Sequence, residues 1–263
     1  MITSRNNEKI KYIAGLVAGA KARRQAGLFV VEGPRMVSEI PADMLSEIIV
    51  SESYMKKSEA GGALCGADNA GCGCPVTEVS DDVFAKISDT KNPQGILALV
   101  KLPQFTMADV TGGEGPLLIL ERIQDPGNLG TMFRSAEAAG AAGIILSDNC
   151  VDVTSPKVIR STMGAIFRVP FVVSAELAAA VGEAQSAGYT IYAAHLAGET
   201  FYTNPAAKKS AYMIGNEGAG LSDELSKCAD KLIKIPMEGQ VESLNTSVAA
   251  SLLLYEWHRQ FKA

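Results

Sequence analysis

The sequence lacks the features of membrane, secreted and strongly basic proteins. It has no run of 18 or more apolar residues, and its opening segment, Met1-Ile-Thr-Ser-Arg-Asn-Asn7, is too polar to begin a secretory signal. The formal net charge is −5, which argues against a protein that coats nucleic acid without selectivity. We therefore predict a soluble, cytoplasmic protein with no membrane partner.

Histidine is scarce, which argues against a metal site. The chain has two histidines, His195 and His258, and five cysteines. Cys65, Cys72 and Cys74 lie close together, but they supply three ligands and no fourth Cys or His is near, whereas structural zinc needs four. We predict no metal, and we interpret the cysteines as structural thiols in a reducing compartment.

The two standard nucleotide-binding fingerprints are also missing. Gly127-Asn-Leu-Gly130 lacks the G-x-G-x-x-G spacing, and the segment from Gly215 to Gly220 is not followed by Lys-Ser/Thr. Dinucleotide-dependent enzymes and NTP-dependent enzymes are therefore disfavoured.

Basic residues are concentrated at the N-terminal end of this acidic chain. Between Met1 and Arg35 only Glu8 and Glu32 oppose the basic residues Arg5, Lys9, Lys11, Lys21, Arg23, Arg24 and Arg35. A phosphate-contacting surface needs such a cluster, and Lys21, Arg23, Arg24 and Arg35 are the candidate contacts. From charge alone, a solvated helix face explains the same residues.

The distribution of apolar residues predicts two α/β domains, 1–102 and 117–263. In the first, we predict helices at 8–20, 34–40 and 81–87, strands at 28–31, 48–50 and 96–100, and a surface loop at 61–73. Residues 103–116 lack sustained periodicity and end in glycines and a proline, which is typical of an exposed linker.

In the second domain, continuously apolar strands alternate with helices, which predicts a parallel sheet covered on both faces. The predicted strands are 117–120, 143–146, 169–173, 190–194, 211–214 and 232–235, and the predicted helices are 129–139, 156–163, 175–187, 222–227 and 247–261.

Three polar, glycine-containing segments lie where strands of the second domain should end. They are Asn128-Leu-Gly-Thr-Met-Phe-Arg134, Ile214-Gly-Asn-Glu-Gly-Ala-Gly-Leu221 and Ile235-Pro-Met-Glu-Gly-Gln-Val-Glu-Ser-Leu-Asn-Thr-Ser247. Glycine lets the backbone approach a ligand, and polar side chains are costly to bury without partners. Because ligands on parallel sheets bind at the carboxyl ends of the strands, we predict one site assembled from three loops.

In this order, the three segments resemble the three motifs of the SpoU (TrmH) family of RNA 2′-O-methyltransferases in the SPOUT superfamily. The matching residues are Asn128, Gly130, Arg134 and Gly140, then Gly215, Glu217, Gly218 and Leu221, then Ile235, Pro236, Met237, Gly239, Ser243, Leu244, Asn245 and Ser247. The resemblance implies a C-terminal SPOUT domain with a trefoil knot, S-adenosyl-L-methionine as cofactor and a homodimer. It also implies a small N-terminal L30e-like RNA-binding domain, which favours ribosomal RNA of the 23S type over transfer RNA.

The resemblance also assigns roles to individual residues. Those expected to carry the chemistry are Arg134, Asn128, Glu217, Ser243 and Asn245, and those expected to contact the cofactor are Leu196, Gly215, Ile235, Met237 and Leu244. A guanidinium stays protonated in proteins, so we expect Arg134 to hold the substrate phosphate and stabilise the developing alkoxide rather than act as a base.

Most of these residues also have a structural explanation. Asn128, Ser243 and Asn245 could cap helices, and Glu217 could only hold its loop. Arg134 could be paired with Glu137 or Glu121, and Ile235 and Leu244 could be ordinary core. Two other functions compete with the enzyme: a non-catalytic RNA- or ribosome-binding module with the same fold, and a small-molecule enzyme of the doubly wound class.

Overall fold

The computed structural model describes residues 1–59, 73–203 and 205–262. The chain divides into two units. Unit 1 contains Met1–Gln104 and Thr154–Phe167, and unit 2 contains Phe105–Val153 and Arg168–Ala263.

The helices and strands of the two units occur in a single order along the chain. They are α1 (Glu8–Ala18), α2 (Ala20–Ala26), β1 (Leu28–Glu32), α3 (Pro34–Ser38), β2 (Leu45–Ser51), α4 (Glu52–Glu59), β3 (Val76–Val79), α5 (Asp81–Ile87), β4 (Ile96–Lys101), α6 (Met107–Thr111), β5 (Leu117–Leu120), α7 (Pro126–Ala139), β6 (Gly143–Ser147), α8 (Pro156–Thr162), β7 (Phe171–Ser174), α9 (Leu177–Ser186), β8 (Thr190–Thr200), β9 (Ser210–Ile214), α10 (Asp223–Lys227), β10 (Lys231–Lys234) and α11 (Thr246–Phe261).

Unit 1 is a four-stranded mixed sheet with strand order β1-β4-β2-β3. β4 is antiparallel to β1 and β2, and β2 is parallel to β3. α1 begins where Asn7 accepts a hydrogen bond from the Lys9 N–H, and it buries Ile10, Ile13 and Leu16. This apolar face packs into one core with residues of α5 and the sheet.

α8 belongs to unit 1, although the sequence suggested that residues 156–163 were part of the second domain. The helix buries Val158 and Ile159 and packs against β1 of unit 1. Phe167, just beyond the helix, stacks on Phe29 with the ring centroids 6.3 Å apart. Sequence order alone could not predict this placement, because α8 follows β6 of unit 2 directly.

Unit 2 is built on a six-stranded sheet with strand order β10-β8-β9-β5-β6-β7. All five strand pairs are parallel, as the apolar strands predicted. β5, β6 and β9 are fully buried along their length, which is expected of strands covered on both faces. The trefoil knot implied by the family resemblance stays a prediction.

The segment 103–116 contains more structure than the predicted linker. Thr106 and Asp109 form a reciprocal capping box that begins α6, and Val110 in this helix is fully buried. α6 packs against β6, β7 and α9, all in unit 2. The prediction of an irregular, exposed connection was therefore wrong for residues 107–111, because one helical turn is too short to produce visible periodicity.

The other predicted helices and strands are confirmed, with changes at their ends, the largest being β8, which continues to Thr200. The sequence did not predict α2, α4 or β3, of which α4 and β3 flank the segment 61–73. That predicted loop, except for its last residue, lies outside the described residues, as do Cys65 and Cys72. Throughout the described part of the chain, none of the helices is long and apolar enough to cross a membrane.

Candidate active site

Loops at the carboxyl ends of the strands carry the predicted site residues. Residues 121–125 follow β5, residues 215–221 follow β9, and residues 235–245 follow β10. A fourth segment comes from β8, which pairs Ala193 with Leu232 and then Glu199 with Ile233, so residues 194–198 leave the ladder. The parallel sheet thus brings four segments to one edge.

Glu217 joins the loop after β9 to the loop after β5. Its carboxylate accepts hydrogen bonds from the Gln124 N–H at 3.1 Å, the Asp125 N–H at 3.0 Å and the Asn128 Nδ2 at 3.2 Å. Asp125 and Asn128 are the N-cap and an early residue of α7. Glu217 therefore fixes the start of the helix that carries Arg134.

The same contacts keep Glu217 ionised. Partial burial raises the pKa of this carboxyl, but hydrogen bonds from the Asp125 and Glu217 backbone, the Asn128 side chain and the Gln124 backbone outweigh it, and the net pKa is lowered. An ionised carboxylate only accepts hydrogen bonds. Glu217 is therefore an acceptor that organises the loops, and not a proton donor at neutral pH.

Asn128 and Asn245 continue this network to the last helix. The Asn245 Nδ2 donates to the Asn128 Oδ1 at 2.9 Å. The Asn245 Oδ1 accepts from the backbone N–H groups of Ser247 and Val248, as the N-cap of α11. Because Glu217 can only accept, Asn128 must turn its NH₂ group toward it and its oxygen toward Asn245.

One chain of hydrogen bonds, Glu217 to Asn128 to Asn245, therefore connects the three polar segments. Two of the structural roles that the sequence left open are present: Asn245 caps α11 and Glu217 holds its loop. Asn128 is different, since Asp125 caps α7 and leaves the Asn128 side chain for the other two loops. Asn245 thus both caps α11 and takes part in assembling the site.

Arg134 lies on an exposed ridge of α7 together with Thr131 and Ala138. Among the described residues, Arg134 makes no hydrogen bond or ion pair; Glu137 pairs with Arg168 and Glu121 with Arg122. The ion pairs that would have explained Arg134 as structural are thus taken by other arginines. Its guanidinium is available to an external anion.

A pocket of about 360 Å³ lies between the irregular part of β8 at residues 194–198 and the loops after β9 and β10. Its lining includes Glu217 and Ser243 together with all five predicted cofactor contacts, Leu196, Gly215, Ile235, Met237 and Leu244. Asn128, Arg134 and Asn245 do not line it. The volume lies in the range of about 300–1,000 Å³ that is usual for small-molecule sites.

Gly215 is required where β9 ends. A Cβ at this position would lie 2.1 Å from the Gly220 carbonyl carbon and 2.2 Å from the Leu221 nitrogen. The close approach arises because Asn216 and Gly220 exchange backbone hydrogen bonds and fold the loop back on itself. A side chain at residue 215 would therefore open the loop that lines the pocket.

Sequence reasoning missed Asn216 and the residues that support Arg122. The Asn216 side chain accepts from the N–H groups of Gly218 and Ala219 and donates to the Arg122 carbonyl. Arg122 has a φ of 53°, and its N–H donates to the Ser147 Oγ. Polar contacts thus stabilise a left-handed residue beside the site. The signal that could have predicted this turn is an Asn two residues before Gly-x-Gly, as in Asn216-Glu-Gly-Ala-Gly220.

Cys150 supports the same loop. Its sulfur accepts from the Ile123 N–H at 3.3 Å, and burial raises the pKa of the thiol, which stays protonated. In the portion of the chain that the structure describes, no group of three or more His, Cys, Asp or Glu side chains is arranged to hold a metal ion.

In unit 1, the predicted contacts Lys21, Arg24 and Arg35 are exposed. Arg23 is not: it is 3% exposed, and its guanidinium donates to the carbonyls of Leu16 and Val17. It satisfies the last carbonyls of α1, so its prediction as a phosphate contact is wrong. Helical periodicity could not reveal this, because a break at Gly19 reorients α2 relative to α1.

Comparison with known proteins decides the family. A model of the SpoU rRNA Methylase family matches residues 115–255, and a model of the MRM3-like substrate binding domain matches residues 7–98. The chain is 33% identical, over 97% of both chains, to the 23S rRNA (guanosine(2553)-2'-O)-methyltransferase RlmP of Bacillus subtilis (strain 168).

The chain belongs to the SpoU rRNA methylase family. Solved structures agree with this assignment. An rRNA methyltransferase from Sinorhizobium meliloti has a TM-score of 0.83 at 29% identity and covers 100% of this chain and 98% of its own. The SpoU methyltransferase AviRb from Streptomyces viridochromogenes, in complex with the cofactor AdoMet, has a TM-score of 0.81 at 25% identity and covers 97% of this chain and 98% of its own.

Protonation of Glu217 gives this SpoU methylase a specific dependence of stability on pH. Because the folded-state pKa is lowered, the ionised carboxylate stabilises the fold above the unfolded pKa of about 4.3, and this contribution is lost as pH falls through the folded value. We expect Glu217→Gln to lower the free energy of unfolding at pH 7 and the difference from the parent to shrink below about pH 4.3.

Urea unfolding at several pH values measures this difference. Glu183→Gln, at an exposed position of α9, is the matched control and should follow the parent at every pH. A constant difference between Glu217→Gln and the parent from pH 7 to pH 3 would contradict the proposed ionised acceptor.

Proposed function

We propose that this protein transfers the methyl group of S-adenosyl-L-methionine to a ribose 2′-oxygen of RNA. The observation that carries this proposal is the hydrogen-bonded chain Glu217–Asn128–Asn245, which assembles the three family motifs around α7. α7 carries Arg134, which pairs with none of the described residues. Membership of the SpoU family supports the same reaction. Ribosomal RNA of the 23S type is the proposed substrate, since the RlmP relative is named for that RNA.

The pocket fits the cofactor in its chemistry. Apolar side chains of Leu196, Ile235, Met237 and Leu244 would enclose an adenine ring, and the backbone around Gly215 offers donors and acceptors. When bound, the cofactor supplies an electrophilic methyl group on a sulfonium leaving group. The AdoMet-bound AviRb structure supports this assignment.

The remaining catalytic work falls to Arg134. A fixed positive charge can hold the substrate phosphate and lower the free energy of the alkoxide that develops on the ribose oxygen. We assign Asn128, Glu217 and Asn245 to positioning α7, since each contacts another loop residue. Ser243, which is exposed and lines the pocket, is assigned to substrate or cofactor contact.

We also propose a homodimer formed through α7 and α11. These helices pack side by side, with Ser135 Oγ and Ser251 Oγ 2.7 Å apart. Next to this contact α11 exposes Val248, Leu252 and Tyr255, which are spaced at i, i+4 and i+7 on one face. Such an exposed apolar stripe is characteristic of a protein interface. A partner bound there would bring a second copy to Arg134.

Unit 1 is the proposed RNA-binding part. Within residues 1–35, Arg5 pairs with Asp82, Lys9 with Glu47 and Lys11 with Glu8, and Arg23 is buried. The exposed cations of this segment that make no ion pair with a described residue are those at positions 21, 24 and 35, and they are the proposed phosphate contacts. The match to a substrate binding domain over residues 7–98 supports this role.

A methyl-transfer assay tests the proposed reaction. The protein is incubated with S-adenosyl-L-methionine labelled in the methyl group and either ribosomal or transfer RNA from cells that lack the protein. Label should enter ribosomal RNA and elute, after nuclease digestion, as a 2′-O-methylated nucleoside. Label on a base would contradict the ribose as target. Cofactor binding without any transfer would favour a non-catalytic RNA-binding module.

A further inference from the structure

Unit 1 contains a cavity of about 250 Å³, separate from the pocket of unit 2, and three parts of the chain line it. The end of β1 contributes Glu32, and α3 contributes Arg35. The loop before β4 contributes polar side chains, and α8 contributes Arg160. The lining residues used below are Glu32, Gly33, Arg35, Asn92, Gln94 and Arg160. None of them belongs to the methyltransferase pocket.

Arg160 is fixed in this cavity by two successive contacts. Its Nη2 donates to the Asp89 Oδ2 at 2.8 Å. Asp89 is itself held, since its N–H donates to the Glu32 Oε2 at 3.2 Å, and Glu32 also accepts from Ser88 and Thr90. The Arg160 side chain is therefore held in position before any ligand binds. This lowers the entropic cost of binding, because the side chain does not have to be ordered by the ligand.

The Arg160 Nη1 is buried and has no hydrogen-bond partner among the described residues. A buried donor on a charged group that lacks a hydrogen bond is unfavourable, because it has lost its contacts with water without a replacement. A ligand oxygen would remove this cost. Arg35, which is exposed, adds a second guanidinium to the same cavity. Two guanidinium groups favour a phosphate and disfavour a cation.

The remaining polar lining can recognise a base. Asn92 and Gln94 are exposed and carry side-chain amides, which both donate and accept hydrogen bonds. Gly33 leaves space beside Gln94, because it has no side chain. Its φ is +99°, and a Cβ there would lie 3.2 Å from the Gln94 Oε1. Amide groups beside paired guanidinium groups match the base edge and the phosphate of one nucleotide.

We propose that this cavity binds one unpaired nucleotide of the RNA substrate. Arg35 and Arg160 contact its phosphate, and Asn92 and Gln94 contact the edge of its base. This inference rests on the proposed RNA substrate and deepens it. A base in a duplex cannot enter a cavity of this kind, whereas a base in a loop or bulge can turn outward. In sequence, Arg160 lies between β6 and β7 of unit 2, but its helix α8 belongs to unit 1, where Arg160 would contact the RNA.

Fluorescence anisotropy with two labelled RNA hairpins tests this proposal. One hairpin is fully paired, and the other has the same stem with a single bulged nucleotide. We expect the full-length protein to bind the bulged hairpin roughly tenfold more tightly, which is the effect of a few hydrogen bonds to charged or polar groups. In Asn92→Ala/Gln94→Ala the preference should disappear while the salt dependence of binding stays the same, because amides displace no counterions.

The arginine variants should show the opposite pattern. Arg160→Gln and Arg35→Gln should each reduce the slope of log affinity against log salt by about 0.7, the value for a single-strand phosphate contact. Arg5→Gln is the matched control, since Arg5 is another arginine of unit 1 paired with an aspartate, and it should keep slope and preference. Thermal unfolding checks the Arg160 variant. If that variant is destabilised, the salt slope of Arg35→Gln and the bulge preference of Gln94→Ala, both at exposed positions, test the proposal instead.

Two results would overturn the proposal: a parent protein without preference for the bulged hairpin, or a preference that survives in Asn92→Ala/Gln94→Ala. The test is independent of the chemistry. If methyl transfer is absent but the bulge preference is present, the proposed reaction fails and the cavity assignment stands. If methyl transfer is normal and the preference is absent, only the cavity assignment fails.

Discussion

Arg134→Ala should lower the turnover number for RNA methylation by about 10³-fold, the loss seen when a group that stabilises a developing oxyanion is removed. The affinity for S-adenosyl-L-methionine should stay within a few-fold of the parent, because Arg134 does not line the cofactor pocket. Single-turnover methyl transfer and calorimetry with the cofactor measure the two effects separately.

Two variants control this prediction. Arg134→Lys should recover little activity, because an ammonium cannot reproduce the planar pair of donors that a guanidinium offers to a phosphate. Arg168→Ala removes another exposed arginine of unit 2, one that pairs with Glu137, and should remain active. Equal turnover in Arg134→Ala and the parent would remove Arg134 from the mechanism.

A mixing experiment extends the same prediction to the proposed homodimer. Leu244→Trp fills the cofactor pocket but keeps Arg134, whereas Arg134→Ala keeps the pocket. If each site combines the pocket of one subunit with the arginine of the other, co-expressed variants should regain activity in the mixed dimer. If each subunit carries a complete site, the mixture stays inactive, and the proposal of a shared site is refuted.

Asn128→Asp should lower activity at neutral pH by about 10²-fold, a loss typical of a misplaced catalytic group. The substitution keeps the oxygen that accepts from Asn245 but replaces the NH₂ group that donates to Glu217 at 3.2 Å. Two carboxylates at this distance repel each other, so the start of α7 should shift and one pKa of the pair should rise.

The pH profile distinguishes this effect from a general loss of stability. One proton shared between Glu217 and the carboxyl introduced at position 128 restores a donor, so the ratio of variant to parent activity should rise as pH is lowered toward the raised pKa. Asn6→Asp, at an exposed position of unit 1, makes the same change of charge and should keep parent activity at each pH. A ratio that does not change with pH would argue against the hydrogen-bonded chain as the device that positions α7.

The fold of unit 2 could be predicted because its signals are local. β5, β6 and β9 are short, mostly apolar segments that are buried along their whole length. α7 begins at its own cap, Asp125, and ends at Gly140. The family, the α/β fold and the six parallel strands were therefore confirmed. α6 and α8 were misjudged because their assignment depends on packing partners that are distant in sequence.

The site could be predicted only in part, because some of its contacts join residues that are distant in sequence. Motif spacing located Glu217, Asn128 and Asn245, and the structure places them in one chain of hydrogen bonds. Spacing could not indicate that Arg23 turns inward to α1, that Asn216 folds the loop after β9, or that Arg160 reaches the cavity of unit 1. These depend on three-dimensional contacts, and the catalytic and cofactor roles themselves stay predictions.

The most direct test of the central claim is a map of 2′-O-methylated nucleotides in ribosomal RNA from cells that carry the parent protein or its Arg134→Ala variant. We predict that one ribose methylation in the large-subunit RNA is present with the parent and absent with the variant, while the two proteins accumulate equally. An identical set of 2′-O-methyl positions in both strains would contradict the assignment of this protein as an RNA 2′-O-methyltransferase that depends on Arg134.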